Sequence, residues 1–262
     1  MSGFDPGWLL LRETYDALAR ENAGLTPDFA AALPPGSPLI MDLGCGTGSN
    51  LRYLLLRLGR MGQRWLCIDA DAALLDRVPR MFPPFVEQVA AVQHDLNDLD
   101  PVDVGAVDAV ACTALLDLCS LPWMERLADK LAAARKPFLA TLTVDGRVSF
   151  EPEDPDDGFV LDLFRRHMTT DKGFGPAMGA GAAQAMAGLL QARGFRVRTA
   201  RSDWDFREED GMIQHILIHG YASAAMELAP EADGRIAAWA DRRHAKIGGQ
   251  VVGHLDLLAL PA

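Results

Sequence analysis

Cysteine, tyrosine and positive charge are scarce in this chain, and no apolar run is long enough to span a bilayer. Only four of the 262 residues are cysteine. Cys45, Cys67, Cys112 and Cys119 form no CxxC pair, so neither a zinc knuckle nor a thioredoxin-type site is expected. No uninterrupted apolar segment reaches the roughly 18 residues of a membrane helix. The opening Met-Ser-Gly-Phe-Asp-Pro-Gly-Trp lacks the basic and apolar regions of a secretory signal. A reducing cytoplasm is the expected setting. Lysine and arginine number 25 against 36 aspartates and glutamates, a net charge of −11. Such a chain repels phosphate backbones, so a nucleic-acid or membrane partner is not expected.

What is present is apolar residue: 49% of the chain, enough for a large core in one α/β domain over 1–262. Residues 7–22 carry Trp8, Leu9, Leu11, Tyr15, Leu18 and Ala19 largely on one helical face. The break "PPGSP" follows, and residues 1–35 read as an N-terminal helical cap. Apolar strand-like runs then alternate with helical ones up to "KPFLATLTV". That rhythm implies a doubly wound parallel sheet with both faces covered. Beyond Val144 it changes. "DGRVSFEPEDPDDG" reads as an acidic loop, "FVLDLFRRHM" as a short helix, and "FRVRTARSDW" as a sixth strand. Two helical stretches follow, and "VVGHLDLLALP" is a seventh strand.

Behind the first strand stands "LIMDLGCGTGSN", with Gly44, Gly46 and Gly48 at alternate positions and Asp42 before them. A glycine-rich turn between strand and helix lets a ligand touch the main chain and exposes the N–H groups of the helix start. A dinucleotide fingerprint would need a third glycine where Ser49 stands, and the GK[ST] of a P-loop is absent. The pattern is D-x-G-x-G-x-G.

This pattern resembles motif I of the class I S-adenosylmethionine-dependent methyltransferases. Asp69 with Ala70 in "CIDAD", Asp95 with Leu96 in "HDLN", and Asp108 with Cys112-Thr113 in "VDAVACTALLDL" follow in the family's order. The resemblance implies a Rossmann-like sheet of seven strands in the order 3-2-1-4-5-7-6, with only the seventh antiparallel and helices on both faces. It implies S-adenosylmethionine as cofactor. Gly44, Cys45, Gly46 and Gly48 would admit its amino-acid end, with Asp42 organising the loop and reaching the ammonium through water. Asp69 would accept from the ribose diol and Asp95 from the adenine amino group. The N–H of Leu96 would face the ring, and Cys112 and Thr113 would stand near the methionine part. Taken singly, a strand-end aspartate serves equally as a helix cap or turn residue. The segments "DKGFG" and "VGH-DLLALP" are similar to those of certain bacterial methyltransferases.

These motifs leave the acceptor open. The region after the fourth strand lacks the (N/D/S)PP(Y/F) of amino-methylating nucleic-acid enzymes, and no Pro-Cys dipeptide occurs. No metal site is expected: His215 and His219 have ligand spacing but no HExxH context. The expected activity is methylation of an oxygen or nitrogen of a small metabolite. Its rivals are a cofactor-binding regulator without transferase activity and an RNA or protein methyltransferase. The N-terminal cap and insertions at 145–180 and 207–247 are expected to roof the acceptor. Within them, His167, Lys172 and Asp117 are candidate catalytic groups, and Arg12, Tyr15, Asp171 and Phe174 candidate substrate contacts. The same residues of "RRHMTTDKGFGP" also suit a helix end and a glycine-rich connector. His254 and Trp204 read as core.

Overall fold

The computed structural model describes residues 5–79 and 85–262. Helix α1 (Pro6–Ala23) starts at Asp5, whose side chain accepts from the Trp8 N–H, and stops at Gly24 with φ 67°. Both ends follow general capping chemistry, with an aspartate N-cap and a left-handed glycine C-cap. α2 (Thr26–Ala32) leads to β1 (Leu39–Leu43), and α3 (Ser49–Arg57) to β2 (Gln63–Asp69). α4 (Ala72–Leu75), β3 (Val86–Gln93), β4 (Ala109–Thr113) and α5 (Leu121–Ala134) complete the first half.

The second half holds β5 (Phe138–Glu151), α6 (Asp157–His167), α7 (Ala182–Ala192), β6 (Phe195–Arg201) and β7 (Trp204–Phe206). α8 (Gly211–Leu228), α9 (Asp233–Ala245) and β8 (Gly249–Pro261) close it. The strands run β3-β2-β1-β4-β5-β8-β6, and β7 pairs with β8 beyond the end of β6. β1 to β5 are parallel, and β8 is antiparallel to its partners. The expected fold and strand order therefore hold, the seventh expected strand being β8.

Three local expectations are corrected. An eighth strand exists, because after a break at Ser202 and Asp203 the chain resumes pairing as Trp204–Phe206 along the same edge of β8. The segment after Val144 is not a loop but continues β5 to Glu151. Asp145-Gly146 opens the stretch expected as an acidic loop, yet the Gly146 φ of 78° serves a register shift between Val144 and Val148. A bulge bends a strand without ending it, and Arg147 ties this one down through Asp145 and Asp203. Of the helical runs expected between the strands, the one after β2, in "DAALLDRVPRM", is a single turn capped by Asp71. Pro79 disfavours helix at the residue before it, and the end of that stretch lies outside the described residues.

Two apolar layers sandwich the sheet. Phe29, Leu51, Leu54 and Trp65 fill one, and Trp123, Leu127, Met186 and Leu190 the other. The long β5–β8 ribbon runs past the parallel strands and carries α6, α8 and α9 around Phe150, Tyr221 and Trp239. α1 covers a fourth cluster with Leu142, Trp204, Phe206 and Val252. No helix among the described residues is long and apolar enough to cross a membrane.

Candidate cofactor and acceptor site

The glycine loop leaves β1 with φ 66°, 53° and 83° at Gly44, Gly46 and Gly48, values that suit residues without Cβ. A Cβ on Gly46 would lie 3.5 Å from Leu9 of α1, and one on Gly48 would press at 3.3 Å on Val78 and Pro79. The Cys45 N–H donates to the Ile68 carbonyl, so the loop is anchored on β2.

Asp69 at the end of β2 accepts from the Gly46 N–H at 2.8 Å and from the Asp71 N–H at 3.0 Å. Each carboxylate oxygen retains a second lone pair. Ala70 is exposed beside it. Asp95 is exposed and accepts from the Asn97 N–H, while the Leu96 carbonyl accepts from Trp123 Nε1 at 2.7 Å. Cys112 is buried in the core and Thr113 half-buried, its hydroxyl accepting from Thr141 Oγ1. Asp108 lies at the far end of the strands, accepting from the Leu39 N–H at 2.8 Å.

Asp42 is fully buried. One oxygen accepts from Asn50 Nδ2, and Oδ2 has no partner. Asn50 in turn accepts from Arg20 of α1 at 2.6 Å. Burial pushes the Asp42 carboxyl up to about 7 against the pull of Asn50 and Arg20. An unsatisfied buried oxygen, a glycine cradle closed by α1 and a strand-end carboxylate fit a cofactor with an ammonium group and a ribose.

This arrangement predicts a pH signature. Burial also raises Asp117 and Asp256 to about 6. Between about 4 and 7 the folded chain holds protons that the unfolded chain has released, so these groups cost stability as pH rises. His254, held down to about 3, works in the opposite sense below its ordinary value of 6.5. Asp42→Asn isolates one contribution. In urea unfolding at pH 5 and pH 8, the wild type should lose more stability than the variant. Parallel losses would show that Asp42 titrates normally.

Of the candidate acceptor residues, the structure brings Arg12 and Asp117 together. Asp117 sits in the 3-10 turn Leu116–Leu118 beyond β4, and the preceding Leu115 packs 3.3 Å from the Cβ position of Gly44. Asp117 is buried with Oδ1 unpartnered, and burial lifts it to about 6 against its own N–H, then the Arg12 guanidinium and the Val144 N–H. Arg12 donates to Asp16 at 2.9 Å and lies over Trp204 and Trp8. Tyr15 donates to Asp210 at 2.8 Å, which pushes the phenol up to about 12 together with the larger effect of burial.

The 151–180 segment meets the chain just past Asp117, where Phe174 bridges to Cys119 and the Met178 N–H donates to the Cys119 carbonyl at 2.9 Å, while its His167 and Lys172 face α8. His167 Nε2 meets Glu227 of α8 at 2.8 Å, and its Nδ1 meets Lys172 Nζ at 3.2 Å. Partial burial lowers Lys172, with Glu227 opposing. Asp171 accepts from the N–H groups of Gly173 and Gly175, and Phe174 meets Trp123 edge-on at 5.5 Å. That loop reaches the end of β3, since Asn97, two residues past Asp95, donates to the Gly173 carbonyl. Among the described residues no hydrogen bond, ion pair or ring contact joins His167 or Lys172 to Arg12 or Asp117. His215 meets His244 of α9 at 2.8 Å rather than His219, and no group of three potential ligands among the described residues is placed to hold a metal ion.

His254 and Trp204 join the Arg12 group, although the sequence reads them as core. His254 is fully buried on β8 opposite Val144, its ring 4.7 Å from Trp204. Neither ring nitrogen makes a hydrogen bond of ordinary geometry, although the Val252 and Ser202 carbonyls act on the ring. The available signal was a histidine inside an apolar strand that is covered on both sides.

Residues 40–137 match the methyltransferase domain family. A Wolinella succinogenes carboxy-S-adenosyl-L-methionine synthase is 37% identical over 87 residues, covering 33% of this chain and 35% of that protein. A human thiol S-methyltransferase is 26% identical over 137 residues, 49% of this chain and 50% of that one. The match thus spans half or less of these relatives' lengths. Among solved structures, a proposed methyltransferase from Bacillus halodurans superposes with a TM-score of 0.53 at 13% identity, covering 92% of this chain and 100% of that chain. The YcgJ protein of Bacillus subtilis gives 0.51 at 16% identity, with 92% and 98% covered. Motif order, the match over residues 40–137 and the sheet topology agree: that segment is similar to the methyltransferase domain family, and the chain has the fold of the solved methyltransferase-like structures.

Proposed function

We propose that the chain methylates an oxygen or nitrogen of a small metabolite, with Asp117 receiving the acceptor's proton. The observation that carries this reading is the unpartnered, buried Oδ1 of Asp117 beside the glycine loop, on a carboxyl held near 6. Bound S-adenosylmethionine supplies an electrophilic methyl on a sulfonium. The protein then has to align the acceptor, exclude water and take one proton. Gly44, Cys45, Gly46 and Gly48 would hold the amino-acid end, with Asp42 below it. Asp69 would hold the ribose, and Asp95 and Leu96 the adenine, with Cys112 and Thr113 flanking the methionine chain. α1 covers this site in the proposal, and Arg12 and Tyr15 belong to the acceptor side. The segments 145–180 and 207–247 act as outer walls, with Asp171 and Phe174 shaping the loop that Asn97 fastens. His167 and Lys172 stand as the competing base candidates. The acidic charge and the four free cysteines favour a metabolite in the cytoplasm over a nucleic acid.

The deciding experiment incubates the chain with methyl-labelled cofactor and a fractionated metabolite extract. Label should enter a low-molecular-mass fraction. Tight S-adenosylhomocysteine binding with no transfer to any fraction would favour a regulator, and label in RNA or protein would reject the small-molecule reading.

A further inference from the structure

Beneath α1, Asp117 Oδ1 makes no hydrogen bond to any described residue, and the His254 ring nitrogens make none of ordinary geometry, with the Val252 and Ser202 carbonyls acting weakly on the ring. Native interiors leave few such groups, and each calls for an explanation. The charge of Arg12 acts on both side chains. Arg12 itself is nearly buried, with its side chain 12% exposed. Its Nε is fixed on Asp16 at 2.9 Å, and Asp16 is held from its other oxygen by Trp204 Nε1 at 3.1 Å. The guanidinium carbon is 4.9 Å from the Trp204 ring centre and 5.9 Å from that of Trp8. This ion pair orients the guanidinium without consuming it, because its terminal nitrogens make no hydrogen bond to any described residue. A guanidinium stacked on aromatic faces keeps its N–H edge free for a planar, bidentate acceptor.

Resting on the methyltransferase reading above, we infer that Arg12 and His254 form an anion subsite for the methyl acceptor, and that the acceptor is a small monocarboxylic acid. Its carboxylate takes the free edge of Arg12 and the N–H of the neutral His254. The group to be methylated points to Asp117 Oδ1, and Trp8 and Trp204 wall the subsite. The surrounding charges select this class. A cationic acceptor would meet the guanidinium. A phosphate dianion would meet the carboxylates of Asp16 and Asp117 with a single arginine to offset it. A neutral acceptor would leave the arginine edge and the imidazole unpaired, a penalty that discriminates strongly in buried sites.

The test is calorimetric and needs no knowledge of the natural acceptor. The full chain, saturated with S-adenosylhomocysteine, is titrated with acetate, benzoate and phenylacetate and with the matching amides. At least one acid should bind ten-fold or more tightly than its amide. That preference should vanish in Arg12→Gln and fall several-fold in His254→Phe, with S-adenosylhomocysteine affinity kept. Equal binding of every acid and amide, or a preference unchanged in Arg12→Gln, would overturn the inference and leave the cofactor assignment standing. If the wild type fails to bind S-adenosylhomocysteine at all, the methyltransferase reading fails and the acceptor subsite falls with it. Should circular dichroism show Arg12→Gln unfolded, His254→Phe decides alone, an unchanged preference counting against the subsite.

Discussion

Asp69→Ala is expected to weaken S-adenosylhomocysteine binding by roughly 30- to 1,000-fold, from the loss of two charge-assisted hydrogen bonds at about 2–4 kcal/mol in all. The side chain is half-buried at the end of β2, and its oxygens accept from the Gly46 and Asp71 N–H groups. Its removal therefore also releases the glycine loop. Gly46→Val should be at least as damaging. The residue has φ 53°, a region that β-branched side chains avoid, and Leu9 already stands 3.5 Å from its Cβ position. Calorimetry reads both variants, with circular dichroism as the check on folding. Wild-type affinity in both folded variants would remove the cofactor from this loop.

Asp117→Asn should lower turnover by about 10²- to 10⁴-fold, the usual worth of a positioned base, with S-adenosylhomocysteine affinity held within a few-fold. The wild-type rate should rise with pH through about 6, the value to which burial lifts this carboxyl, because only its ionised form accepts a proton. The variant should lose that inflection. His167→Ala is the contrast: it faces Glu227 and Lys172, so its loss should leave the rate largely intact. Full activity in Asp117→Asn, or a larger loss in His167→Ala, would transfer the role to the histidine. Small effects in both would mean that the acceptor arrives already deprotonated and alignment alone suffices.

The glycine loop and the strand-end aspartates were legible because their physics is local. Three glycines at alternate positions demand positive φ at the point where they occur, and a strand-end aspartate needs only the strand before it. The sheet order was legible for a similar reason, since alternating strands and helices permit few windings. The cluster around Arg12 depends on contacts between distant residues. Asp16 and Trp204 are 188 positions apart, and Tyr15 and Asp210 are 195 apart. No periodicity signals such a pairing. His254 sits fully buried among apolar neighbours on β8, as the core reading has it, and only the absence of an ordinary hydrogen bond at its nitrogens sets it apart. Asp145-Gly146 misled in another way, because turn chemistry and bulge chemistry use the same residues.

The place of β8 in the sheet also governs how the molecule is made. It follows every other strand in the chain yet lies between β5 and β6, and it carries β7 as well. During synthesis β1 to β4 can pair with neighbours that have already emerged, so the glycine loop, Asp69 and Asp95 take shape early. β6 and β7 must wait without a partner until β8 arrives, and such long-range pairing is the slow part of folding. The glycine loop and the cluster around Arg12 therefore mature at different moments. A nascent chain can hold a finished cradle for the cofactor while the floor under Arg12 does not yet exist, and until β8 inserts, the apolar faces of Trp204 and Phe206 are what a chaperone would find exposed.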